Sequence, residues 1–132
     1  MNFIDGRISK INTSGQLSLV SVSAKDLTLT AVIIDTPETV DYLVLDRPIR
    51  VLFKETEVIL ATQGIQGIGL LNQIAGVVRQ IEMEPLLSRI RISTSVGHIK
   101  AVVTSEAVRK LNLEVGLSVT ALIKTNEMML AQ

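Results

Sequence analysis

The chain has 132 residues, no cysteine and one histidine, and its 13 basic and 13 acidic side chains cancel. Disulfides and thiolate chemistry are excluded, and His98 alone cannot build a zinc site. The composition is 47% hydrophobic but only 2% aromatic, with a mean hydropathy of +0.42. This is more aliphatic surface than small cores hide, and it points to self-association. No stretch is long and apolar enough to span a membrane, and Met1 to Arg7 lack a basic segment followed by an apolar run. The expected location is therefore the cytoplasm, with no membrane partner. Phe3, Tyr42 and Phe53 are the only aromatics, and without stacking platforms or net positive charge no nucleic-acid partner is expected.

The first repeat opens with a strand over 3–12, then strands over 17–23 and 28–34, each with apolar residues at every second position. Turns are expected at Ser14-Gly15, Lys25-Asp26 and Asp46-Arg47. Asp35-Thr36-Pro37-Glu38 offers an N-cap, an early proline and a glutamate three residues on, so a short helix is expected before the strand over 49–54. A fifth strand is expected over 57–61. Glu55 and Glu57 then fall on one solvated face of a strand rather than forming an acid/base pair.

The same pattern returns 70 residues later without a gap. Asn2 meets Asn72, Gly6 meets Gly76, Leu17-Ser18 meets Leu87-Ser88, Ala31-Val32 meets Ala101-Val102, Lys54 meets Lys124, and Leu60-Ala61 meets Leu130-Ala131. In the second copy Ser88 to Ser93 alternates cleanly, and Thr104-Ser105-Glu106 opens the helical segment. Ungapped repetition implies two copies of one folded unit. The expected organisation is a module over 1–62, a glycine-rich linker over 63–71 and a second module over 72–132. Five short strands with one helix between the third and fourth define, in each copy, an all-β Greek-key barrel of the oligonucleotide/oligosaccharide-binding (OB) type. Residues 1–66 carry six basic and eight acidic groups and residues 67–132 seven and five, so the second copy is the better host for an anion.

The ending Val119-Thr120-Ala121-Leu122-Ile123-Lys124-Thr125 and the start Asn72-Gln73-Ile74-Ala75-Gly76-Val77-Val78 resemble the molybdenum-pterin-binding (Mop) or TOBE module. The tandem arrangement is similar to free-standing, molbindin-like di-Mop proteins. That resemblance implies a non-enzymatic cytoplasmic protein that binds molybdate or tungstate for storage or homeostasis, as a homo-oligomer and most often a trimer. It implies an oxyanion shell built around Lys124 and Thr125, with Asn72, Thr104 and Ser105, and with Lys54 and Asn2 as first-repeat counterparts. A cation and hydroxyl donors suit a tetrahedral dianion. The Ser and Arg of the family's Ser-Ala-Arg-Asn start are absent, because Gly69-Leu70-Leu71 precedes Asn72 and Met1 precedes Asn2, while Lys54 is followed by Glu55. The alternative is an oligomeric scaffold whose anion sites are degenerate.

Overall fold

Alternation of aliphatic and polar residues sets the strands, and the computed structural model, which describes residues 1–62 and 65–132, carries them nearly where the pattern puts them. Gln63 and Gly64, the first two residues of the expected linker, lie outside the described residues. The first repeat supplies β1 (Asn2–Ser14), β2 (Leu17–Ala24), β3 (Leu27–Ile33), β4 (Pro48–Phe53) and β5 (Ile59–Ala61). The second supplies β6 (Asn72–Glu82), β7 (Leu87–Thr94), β8 (Gly97–Thr104), α1 (Ser105–Lys110), β9 (Ser118–Ile123) and β10 (Met129–Ala131). Two five-stranded antiparallel sheets result, the tandem OB-type architecture.

The sheets are not each made from one repeat. Their orders are β10-β4-β1-β2-β3 and β5-β9-β6-β7-β8, so each closing strand pairs in the other repeat's sheet. Ile59, Leu60 and Ala61 stand opposite Leu122, Ala121 and Thr120, and Met129, Leu130 and Ala131 stand opposite Leu52, Val51 and Arg50. The periodicity of a three-residue strand is the same whichever edge it joins, so the exchange is invisible in the pattern.

The helices differ between copies. Only the second repeat forms one: Thr104 caps α1 by accepting a hydrogen bond from the Ala107 N–H at 3.1 Å, and Glu-Ala-Val-Arg-Lys propagates it. In the first repeat the helix expected after Asp35 is instead a single turn. Thr39 and Val40 N–H groups bond the Thr36 carbonyl at 3.0 and 3.1 Å, and the Thr39 hydroxyl accepts from the Thr36 N–H at 2.8 Å. Threonine side chains satisfying the backbone locally, with β-branched Thr39 and Val40 next in line, stop propagation.

Both barrels share one bracing device. β1 bulges between Ile8 and Lys10, and β6 between Val78 and Gln80. Ile8 N–H bonds the Arg47 carbonyl at 3.0 Å and its carbonyl accepts from Asp46 N–H at 2.7 Å, while Val78 does the same with Leu117 and Gly116 at 2.9 and 2.8 Å. Asp46 and Gly116 both adopt positive φ, 68° and 97°, the left-handed turn position that asparagine, aspartate and glycine tolerate best. The cores are aliphatic: Ile8, Val20, Val22, Val51 and Phe53 in one barrel, Val78, Ile90, Ile92, Ala101 and Ile123 in the other, all fully buried.

Candidate functional site

Each fourth strand of a repeat is followed by a lysine that leads into a short 3-10 turn, Lys54 before Glu55–Glu57 and Lys124 before Thr125–Glu127. These lysines start the turns without a side-chain capping bond. Asn72 pairs with Ile123, so β6 delivers it beside Lys124, and Asn2 pairs with Phe53 beside Lys54 in the same way. The turns then pack on the third strand of the opposite repeat, Thr125–Glu127 on β3 and Glu55–Glu57 on β8. Each candidate site is therefore built from both repeats.

At the second-repeat site a cleft of about 240 Å³ is lined by Lys124 and Thr125 together with Leu19, Gly69, Leu70 and Leu71. Lys124 is exposed and makes no ion pair among the described residues. The cleft thus presents one uncompensated cation and one hydroxyl against apolar walls, where a bound anion would meet few competing dipoles.

The first-repeat counterpart has different contents. Glu55 stands where Thr125 stands in the other copy, Arg89 where Leu19 stands, and Lys100 where Thr30 stands. Glu55 accepts a hydrogen bond from the amino group of Met1 at 3.0 Å and lies 3.4 Å from Arg89. The hydrogen bond to that amino group, with the charges of Arg89 and Lys100 beyond it, holds the Glu55 carboxyl below its usual range. A carboxylate of the protein already occupies the cation-rich corner, so an added oxyanion would meet a like charge there.

The remaining sequence-derived candidates are engaged elsewhere. The Asn72 side chain donates to the Thr30 carbonyl at 2.8 Å and accepts from the Thr30 N–H at 2.7 Å. Asn2 makes the corresponding pair with Lys100, at 2.7 and 2.8 Å. Both amides bridge the two barrels. Thr104 caps α1, and Ser105, fully buried, shares a hydrogen bond with Ser88 at 2.6 Å and donates to the Glu84 carbonyl. Thr104 lines an apolar groove with Thr56 of the first repeat's turn and Leu60 of β5. The structure thus brings Lys124 and Thr125 to one cleft, sets Asn72 on the neighbouring strand with its side chain on Thr30, and does not bring Thr104 or Ser105 to them. Sequence reasoning missed the Glu55–Arg89 pairing. Its signal was the joint change of Thr125, Leu19 and Thr30 to Glu55, Arg89 and Lys100 at the 70-residue offset. Glu55 lies in a 3-10 turn, not on a strand face as expected.

Among the described residues no group of three or more His, Asp or Glu side chains could hold a metal ion, and no helix is long and apolar enough to cross a membrane. Fold and site together define a tandem OB-type protein in which closing strands are exchanged and one strand-end lysine faces an open cleft. Residues 70–130, nearly the whole second repeat, match the model of the TOBE domain family. No curated protein matches the sequence. The chain superimposes with a TM-score of 0.91 on a crystal structure of the cytoplasmic molybdate-binding protein ModG with molybdate bound. The two are 24% identical, over 98% of this chain and 94% of that one. At this identity the likeness shows a shared fold.

Proposed function

We propose that the chain binds molybdate, with tungstate as the alternative oxyanion, and that it serves non-enzymatically in cytoplasmic storage or homeostasis of that ion. The observation that carries this reading is the Lys124–Thr125 strand end, an unpaired cation beside a hydroxyl in a cleft free of carboxylates. The fold shared with a molybdate-bound structure supports the choice of oxyanion. A cation and a hydroxyl donor suit the shell of a tetrahedral dianion.

One lysine and one hydroxyl leave such a shell incomplete, so a neighbouring copy completes it, in a homo-oligomer whose expected form is a trimer. Exposed apolar side chains near the cleft, Leu19 and Leu71 among them, supply the surface for that contact. The first-repeat corner, neutralised by Glu55, takes no oxyanion, which sets one site per chain.

Equilibrium dialysis against molybdate, tungstate and sulfate, with metal analysis, tests the reading. Saturable binding of molybdate or tungstate in preference to sulfate is expected. Absence of binding to all three at micromolar protein would replace it with an oligomeric scaffold.

A further inference from the structure

On the outer face of the second barrel, three strands align cationic and amide side chains that the oxyanion cleft does not use. Gln80 on β6 stands opposite Arg91 on β7, and Arg91 stands opposite Lys100 on β8. Arg89 lies two residues from Arg91 on the same face, and His98 two residues from Lys100. With Glu82 they line a cleft of about 300 Å³. We propose that this face is a second binding site, separate from the Lys124 cleft, which takes a small phosphate-bearing anion through the opposed Arg91 and Lys100.

Directly opposed like charges on neighbouring strands have Cβ atoms about 5 Å apart and destabilise the pair. No carboxylate forms a direct ion pair with Arg91 or Lys100, although Glu55 feels the charge of Lys100 from further off. Glu55 and Glu82 both lie against Arg89, at 3.4 and 4.0 Å, and among the described residues neither Arg91 nor Lys100 has an acidic partner within 4.0 Å. The duplication shows that the fold does not require this arrangement. The corresponding positions in the first barrel are Lys10, Asn12, Leu19, Ser21, Thr28 and Thr30, a face with one cation where the second barrel has three. The first barrel has the same strands without that charge.

The backbone beneath these cations is fixed. Asn2, reaching from the other barrel, bonds both the N–H and the carbonyl of Lys100, so the outer edge of β8 is held where Lys100 stands. Fixed supports of this kind favour a binding role. The outer face of strands two and three is also where OB-type barrels bind ligands. The chemistry selects the ligand class. Arginine forks match phosphoryl oxygens two at a time, and lysine adds a point charge. No Phe, Tyr or Trp lines the cleft, and the one ring there, His98, is a small platform for a base. A phosphate group is therefore recognised without a broad nucleobase platform.

Isothermal titration of the full chain with pyrophosphate tests this. Saturable binding is expected, at least tenfold weaker in R91Q/K100Q and unchanged in R79Q, which removes an exposed cation outside the cleft. Without ligand, R91Q should melt at or above the parent temperature, because a like-charge opposition is relieved. No saturable binding by the parent, or an equal loss in R79Q, would overturn the proposal. So would loss in Lys124→Ala instead, which would assign the anion to the oxyanion cleft. Tighter binding of a single-stranded oligonucleotide through the same cations would make the face a nucleic-acid surface and overturn it too.

Discussion

The side-chain amide of Asn72 closes a two-hydrogen-bond ring on the backbone of Thr30, donating to its carbonyl and accepting from its N–H at 2.8 and 2.7 Å, so that β6 of one barrel is tied to β3 of the other. Asn72 is completely buried and Thr30 nearly so. An asparagine is the residue that offers a donor and an acceptor in the same plane as a peptide group, and Asn2 repeats the ring on Lys100.

Asn72→Ala strips both partners from a buried peptide, and each unsatisfied group costs about 1–3 kcal/mol. Denaturant titration should show a loss of about 2–4 kcal/mol. Asn72→Asp should be no better, since the carboxylate faces the Thr30 carbonyl. A loss below about 1 kcal/mol in Asn72→Ala would mean that water replaces the ring.

Lys124→Ala should weaken oxyanion binding by about 1.5–3 kcal/mol, the value of a charge-assisted hydrogen bond. Lys54→Ala should leave it unchanged, because Glu55 already faces the cations on that side. Calorimetry with molybdate compares the two, and equal losses would refute the ranking of the sites.

Glu55→Thr gives the first-repeat turn the Lys-Thr pair of the second and frees Arg89 and the Met1 amino group from an internal carboxylate. Dialysis should then count two oxyanions per chain in place of one. A count that stays at one would show that the carboxylate is not what closes the corner.

Acid should destabilise the protein through the same residue. The Glu55 carboxyl, held below its usual 4.5 by the Met1 amino group with Arg89 and Lys100 behind it, is ionised more readily folded than unfolded. Its contribution is full above pH 4.5 and is lost as the pH falls through its lower folded value. Asp5, lowered by its hydrogen bond to Arg50, adds to the same trend. Melting temperatures followed from pH 7 to about pH 3 should fall, and Glu55→Gln should make the fall shallower.

Gly76→Ala should cost about 1–3 kcal/mol by overpacking. A Cβ there would sit 2.5 Å from Ile92 Cγ2 and 2.7 Å from the Ser93 carbonyl oxygen. Thermal melting reads the loss directly.

Strand positions were legible because burial on one face of a sheet forces period-two spacing, as in Ser88 to Ser93, and because every turn recurred at the same offset. The helix was half legible. Asp35 and Thr104 look alike as caps, but the residues C-terminal to each cap decide the outcome: Ala107 to Lys110 propagate, whereas Thr39 and Val40 do not. At the site, Lys124 and Thr125 emerge from sequence since they are adjacent. The ties of Asn2 to Lys100 and of Glu55 to Arg89 span 98 and 34 residues and depend on how two barrels pack, which no local pattern encodes.

Exchange of the closing strands gives the molecule an order of manufacture. As the chain leaves the ribosome, the first barrel has its first four strands once Phe53 has emerged, yet the segment that seals β4 is Met129–Ala131. Until then the edge of β4 offers unpaired N–H and C=O groups to any other nascent chain. The contacts that finish folding join residues nearly eighty positions apart, which slows the last step. A chain broken off before Met129 would be damaged in the half that was made first.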